Sequence, residues 1–190
     1  MTITTFSPEL LKRKLPELVL KDVYIGGGAI RDSLLGIEPA DFDVFGTDEA
    51  LLNFETTLDS LPTFKSEAVN NYKINDQKIQ VCYRNLPKPE DFINHVDFNI
   101  CQFAYDGKVI YATAESLIGI YTKKLMIGVI RKEFAVDSLR RLQKYIQKGY
   151  TICDGGLKQI VEVIRGLTEE ETKAQFTFYE GGKVRANRFD

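Results

Sequence analysis

The residues that most often carry chemistry unaided are scarce here: one histidine and three cysteines in 190 residues. The lone histidine, His95, has no serine or cysteine nucleophile motif beside it, which leaves that ring a surface or loop role. Cys82, Cys101 and Cys153 are odd in number and widely spaced, so they fit neither a zinc ligand pattern nor a disulfide framework. They are read as ordinary core or near-surface thiols. No apolar run approaches the roughly 18 residues of a spanning helix, and MTITTFSPELLKRK lacks the apolar centre of a signal peptide. No membrane partner is expected, and a cytoplasmic protein is. There is no internal repeat or low-complexity tract, and neither Gly-x-x-x-x-Gly-Lys-Ser/Thr nor Gly-x-Gly-x-x-Gly occurs at Gly26–Arg31. A Walker loop and a dinucleotide fold are thereby excluded at that point.

Hydrophobic residues make up 44% of the chain and charged residues 27%, enough apolar material for one packed core. We expect a head domain over 1–135 and a helical extension with a polar tail over 136–190. The net charge of −2 conceals an asymmetry. Residues 121–150 carry a net +6, and the first 120 residues a net −7. An acidic half followed by a basic segment suits a protein that handles a metal and an anionic substrate, although a solvated helix face has the same look.

The periodicity predicts a helix over Pro8–Leu20 with Ser7 as its cap, then a buried strand DVYI ending at Gly26. Ala29–Leu35 has helical spacing and stops at Gly36. DFDVF alternates as a half-buried strand does, and Asp48 opens a helix with Leu51, Leu52, Phe54, Leu58 and Leu61 as its apolar set. KIQVCYR, Lys78 to Arg84, is another alternating strand and NLPKPED a loop. FNICQFAY and KVIYA flank the turn signal Asp106-Gly107 as a hairpin. From Asp137 a helix with the stripe Leu139, Leu142, Tyr145 and Ile146 runs to Gly149, and another covers Asp154–Arg165. The tail YEGGKVRANRFD reads as polar and loosely held.

Within VYIGGGAIRDSLLGIEPADFDVF, Asp41 and Asp43 sit two apart on a strand, so both carboxylates leave one face while Phe42 and Val44 turn into the core. Held about 6–7 Å apart by the strand repeat, they can together grip magnesium or manganese, which favour oxygen ligands. Gly27 and Gly28 fall where a strand turns into a helix. There the absent side chains let backbone N–H groups approach a phosphate, and the helix N-terminus adds favourable charge. Arg31, one turn in, reaches for a triphosphate oxygen. A phosphate cradle beside metal carboxylates means phosphoryl or nucleotidyl transfer. Alone, a Gly-Gly is a turn and an Asp-x-Asp is a strand end facing water; it is their spacing that is specific.

YIGGGAIRDSLLGIEPADFDV resembles the first motif of the class II CCA-adding enzyme and bacterial poly(A) polymerase head domain, in the polymerase-β-like nucleotidyltransferases. That motif, Gly-Gly-x-x-Arg-Asp-x-Leu-Leu-Gly followed by Asp-x-Asp, is filled from Gly27 to Asp43. VDFNICQFAYD is similar to the family's ribose motif and VDSLRRLQKYIQKGYTI to its Glu-Asp-x-x-Arg helix, so the likeness covers residues 20–152. It implies an α+β head domain, a mixed β-sheet flanked by helices with a short C-terminal helical neck stub. It implies a magnesium- or manganese-dependent nucleotidyltransferase that moves an NMP from an NTP, ATP or CTP, to an acceptor hydroxyl, an RNA 3′ end first.

By the same resemblance Asp41 and Asp43 are the catalytic metal ligands, Gly27, Gly28 and Arg31 hold the triphosphate with Asp32 orienting Arg31, and Asp97 and Asn99 serve the nucleotide. Asp137 and Arg140 would face the incoming base, with a helix N-cap as the plainer role of Asp137. The basic segment 123–148 is the candidate RNA contact. There are departures. Gln80 stands where the family's third carboxylate belongs, His95 and Val96 replace arginines, Cys101 replaces an asparagine and Val136 a glutamate. With 38 residues after Ile152, the chain is expected to be a free-standing head with a stub of neck. The alternative to an active enzyme is a degenerate nucleotide-binding or interaction module of the same fold; a third possibility is a partner chain that supplies acceptor binding.

Overall fold

The computed structural model describes residues 2–180, with side chains to residue 176. After β1 (Ile3–Phe6) comes one 3-10 turn, Pro8–Leu10, and then extended chain. The helix expected over Pro8–Leu20 is therefore confined to its first turn. Ser7 does cap it, accepting from the Glu9 N–H at 3.2 Å. Pro16, however, brings no N–H and pushes Leu15 out of helical space. Leu11, Leu15, Leu18 and Leu20 still pack on the core, from extended backbone.

β2 (Val23–Gly26), α1 (Gly28–Leu35) and β3 (Phe42–Gly46) follow the sequence pattern, Gly36 ending α1 in the left-handed region at φ 77°. Thr47 caps α2 (Asp48–Thr57), accepting from the Ala50 N–H at 3.2 Å. Of its expected apolar set, Leu52 and Leu61 are exposed: Leu52 lies off the Leu51–Phe54–Leu58 stripe and Leu61 beyond the helix end. β4 (Phe64–Lys65) and β5 (Val69–Ile74) precede β6 (Gln77–Cys82). NLPKPED is a loop only to Lys88. Pro89 takes the first helical position of α3 (Pro89–His95), and Asp91 accepts from the Lys88 N–H at 3.1 Å.

FNICQFAY is a strand only at its end, because Asn99–Cys101 forms a 3-10 turn before β7 (Phe103–Tyr105). The hairpin to β8 (Ile110–Thr113) does turn at Asp106-Gly107, Asp106 accepting from the N–H groups of Lys108 and Val109. Then come α4 (Ala114–Thr122), β9 (Lys124–Leu125) and a 3-10 turn at Lys132–Phe134. α5 (Ala135–Gln147), β10 (Thr151–Ile152), α6 (Asp154–Arg165) and α7 (Glu169–Glu180) complete the described chain. The buried stripe of α5 is Ala135, Ser138, Leu142 and Tyr145, whereas Leu139 and Ile146 are exposed. Of the tail, residues 181–190 lie outside the described residues.

The fold is α+β. Eight strands form one mixed sheet in the order β1-β8-β7-β2-β3-β6-β5-β4, antiparallel except where β3 and β6 run parallel. β9 and β10 pair separately, also parallel. One sheet face, with Ile25, Phe42, Val44, Ile79 and Val81, is buried with Leu34, Leu51, Ile120 and Leu142 in the main core. Full burial of such a side chain is worth about 1.5–3 kcal/mol. The opposite face carries a smaller cluster, Tyr24, Phe45 and Ala104 beneath Phe92 and Ile93 of α3. Alternation along β3 puts Asp43 on that second face, where polar chemistry is left standing. Among the described residues no helix is long and apolar enough to cross a membrane.

Candidate nucleotide and metal site

The three consecutive glycines are required for three separate reasons. A Cβ on Gly26 would lie 2.8 Å from the Phe92 ring. Gly27, at φ 80° and ψ −133°, holds a conformation that L side chains rarely adopt. A Cβ on Gly28 would meet Arg31 Nη2 at 3.3 Å. No side chain caps α1, so the N–H groups of its first turn point outward without a protein cap, the arrangement that receives phosphate oxygens. Arg31 is buried and folds back towards Gly28, gripped by Asp32 through Nε at 2.7 Å and Nη2 at 3.0 Å. Burial is the largest influence and opposes its charge, but the Asp32 hydrogen bond together with the charges of Asp32, Cys101 and Tyr145 outweighs it and holds the guanidinium protonated.

Asp43 pairs across β2–β3 with Gly26 and across β3–β6 with Gln80. Turned with its NH2 towards the carboxylate, the Gln80 amide donates to Asp43 Oδ1 at 2.9 Å. Its carbonyl then lies 3.1 Å from Lys78 Nζ and beside the Asn71 side chain. Lys78 Nζ is also 3.8 Å from Asp41 Oδ2. Burial first, and the Asp41 charge second, push the Asp43 carboxyl up to about 6 against the pull of Arg84, Arg141 and Lys78.

Among the described residues no cluster of three or more His, Cys, Asp or Glu converges as a metal cage. The donor set fits one magnesium or manganese ion held by Asp41 and Asp43, with nucleotide oxygens completing its shell, since such ions bind through one or two carboxylates plus substrate phosphates.

A polar network joins α1 to α5. Arg31 Nη1 lies 3.9 Å from Cys101 Sγ, and Arg141 Nη2 lies 3.4 Å from the same sulfur. Tyr145 OH is 3.0 Å from Cys101 Sγ and 3.3 Å from Arg141 Nη2. Arg141 Nη1 then pairs with Asp97 Oδ1 at 3.0 Å, and Ser138 donates to Asp97 Oδ2 at 3.0 Å. Gly28, Arg31, Asp32 and Asp97 are thereby brought into one neighbourhood.

Asn99 is engaged in the fold instead. Its amide donates to the carbonyls of Glu115 at 2.8 Å and Lys124 at 3.3 Å, and its Oδ1 accepts from the Met126 N–H at 2.8 Å. Both amide hydrogens are committed to main chain, and Asn99 staples α4 and β9 together. Asp137 and Arg140 lie on α5, 3.7 Å apart, with the Arg140 guanidinium 5.5 Å from the Phe176 ring of α7.

The sequence pattern passed over Lys78 and Arg84. Strand parity placed both on the face of Gln80 and was the signal available. Arg141 and Tyr145 had no such signal, because only the folded α5 turns them towards Cys101.

The α+β fold with its mixed eight-stranded sheet is shared with solved structures of CCA-adding enzymes. A CCA-adding enzyme of Thermotoga maritima complexed with tRNA superposes with a TM-score of 0.63 at 19% identity, over 92% of this chain and 50% of that one. A CCA-adding enzyme in complex with CTP gives 0.57 at 20%, over 80% and 41%, and an apo CCA-adding enzyme 0.57 at 18%, over 86% and 44%. The chain spans about half the length of these structures or less. At such identities the likeness establishes the fold alone. No curated protein sequence matches. The family model that matches, over residues 2–123, is the Gabija anti-defense 2 family, and the chain belongs to that family.

Proposed function

We propose that this chain binds a nucleoside triphosphate, ATP or CTP, and moves its nucleoside monophosphate to an acceptor hydroxyl, an RNA 3′ end foremost, in the service of the anti-defense role its family's name carries. The observation that carries this is the pairing of Gly26 with Asp43. It sets the uncapped N-terminus of α1 and the carboxylates on adjacent strands, about 4.8 Å apart, so cradle and carboxylates address one ligand. The solved CCA-adding enzymes named with CTP and with tRNA lend support.

The N–H groups of the first α1 turn, from Gly28 on, and Arg31 hold the triphosphate, Gly27 contributing its backbone conformation because its own N–H donates to the Phe103 carbonyl at 2.8 Å, and Asp32 holds Arg31. Asp41 and Asp43 would hold the magnesium or manganese ion, which neutralises phosphate charge when bound. The acceptor oxygen forms a bond to the α-phosphorus, the bond from that phosphorus to the bridging oxygen breaks, and pyrophosphate leaves with the electron pair. The hydroxyl proton is released to solvent as the new bond forms. Asp97 fixes Arg141 behind the cradle, Asn99 acts only by holding β9, and Asp137 with Arg140 reads the base. The basic segment 123–148 approaches RNA, and a partner chain is a further source of acceptor binding. The head domain is 1–135 and the neck-like extension 136–190.

The test is incubation with each α-labelled NTP, magnesium or manganese, and total RNA. Label entering RNA in the wild type and not in Asp43→Asn supports the proposal; label entering no acceptor, with NTP intact, contradicts it. A second reading, nucleotide binding without turnover, is favoured by Gln80 and Lys78, which fill the metal face with a neutral amide and an ammonium. Tight NTP binding with no transfer to any acceptor would select it.

A further inference from the structure

Two residues beyond Asp43 on β3, the same sheet face opens into a cavity of about 60 Å³. Its floor is apolar, formed by Phe45, Leu86, Phe92 and Val96. The rest of its lining is basic: Arg84 leaving β6, His95 ending α3 and Arg131 preceding the 3-10 turn of α5. No acidic residue lines it. By the measure that one water needs about 10–15 Å³, the space takes roughly four waters or one phosphate group.

We propose that this cavity is an anion subsite that seats a backbone phosphate of a single-stranded RNA acceptor. The proposal rests on the nucleotidyltransferase reading and adds the place where the acceptor is gripped. Three observations support it. First, among the described residues Arg84 and Arg131 form no ion pair with a carboxylate, Arg84 acting on the Asp43 carboxyl only at longer range, and Arg131 is held in place over the Phe134 ring at 4.6 Å. His95 donates through Nδ1 to the Asp91 carbonyl at 3.1 Å, which fixes the ring where it lines the cavity.

Second, the cavity is distinct from the triphosphate cradle yet adjoins it. Phe92 is the partition: its ring closes against Gly26 on one side and lines the cavity on the other. Third, Phe45 follows Asp43 on the same strand face at about 6–7 Å, so an acceptor phosphate seated here leaves a neighbouring hydroxyl within reach of the carboxylates. The apolar floor lowers the local dielectric and strengthens the attraction of the basic groups for the anion.

The experiment is fluorescence anisotropy of a labelled single-stranded RNA of about a dozen nucleotides, long enough to cover a groove of this kind, titrated with the full chain over a salt series. Arg84→Ala with Arg131→Ala should weaken binding at least ten-fold. The slope of log K against log salt should shrink by about 0.7, the share of one phosphate contact on a single strand. Arg84→Lys with Arg131→Lys should keep most of the slope, and Arg131→Ala alone should leave the affinity for a fluorescent ATP analogue within two-fold of wild type. Unchanged RNA affinity and slope in the double alanine variant overturns the subsite, as does a wild-type chain that binds no RNA. Equal losses of RNA and ATP-analogue affinity would also overturn it, by assigning the cavity to the nucleotide. Because the two ligands are read separately, a wild-type chain that binds RNA but no ATP analogue contradicts the nucleotide site and not the subsite.

Discussion

Gln80 sits between Asp43 and Asn71 with Lys78 beside Asp41, so the face that would hold a metal has two carboxylates, an amide and an ammonium. A third carboxylate there would add a full charge next to the ion. Gln80→Glu should tighten manganese binding about ten-fold, or about 1.4 kcal/mol, read from the free-ion signal by electron paramagnetic resonance. Unchanged affinity would mean that this strand position does not reach the ion. Asp43 supplies a second test, through stability. Its carboxyl is pushed from 3.8 up to about 6 by burial and Asp41, so folding favours the protonated form. The stabilising contribution of that proton is full below the unfolded value and is lost as pH rises through about 6. In the absence of metal, Asp43→Asn should therefore raise the melting temperature near neutral pH by a few degrees, roughly 1–2 kcal/mol, and flatten the acid limb of the stability curve. A lower melting temperature in the variant would contradict the buried, charge-crowded carboxylate.

The β2–α1–β3 unit is where local signals agree, and it is the part of the fold most legible in the sequence. Gly27 adopts φ 80°, Gly36 ends α1, and Asp43 alternates with Phe42 and Val44 as read. Gly27→Ala should cost about 1–3 kcal/mol from its backbone conformation alone, measured by thermal denaturation, and weaken NTP binding as the turn opens. No loss of stability would show that the turn relaxes freely. Elsewhere local patterns misled for identifiable reasons. Pro16 broke a helix whose first turn was correctly capped. β5 escaped notice because Asn70 and Asn71 interrupt its apolar pattern, although its turn, Asn75-Asp76 with φ of 48° and 64°, carried the hairpin signal. On α5 the buried side chains include Ala135 and Ser138, which a count of large apolar residues does not see.

In the molecule as a whole, the candidate site depends on contacts far apart in the chain. Asp32, Arg31, Cys101, Arg141, Asp97 and Ser138 form one connected line from α1 to α5, a juxtaposition that no local spacing encodes. Residues within one strand or turn were legible; those delivered by tertiary packing, Arg141 and Tyr145 above all, were not. The reverse holds for Asn99, singled out by motif and found to be a staple. The basic character of residues 121–150 likewise has meaning only through the fold, which brings Arg131 to the cavity beside Arg84.

The central claim is that the Gly27–Arg31 turn and the Asp41/Asp43 pair address one metal-bound nucleotide. Calorimetric titration of ATP and CTP, with magnesium and with EDTA, into the wild type and the Asp41→Asn/Asp43→Asn variant tests it most directly. If the claim holds, removing magnesium weakens binding of the preferred nucleotide at least ten-fold, the variant loses about as much, and the two losses do not add, because both act through the same ion. Wild-type affinity in the variant with magnesium present, or losses that add in full, would contradict it.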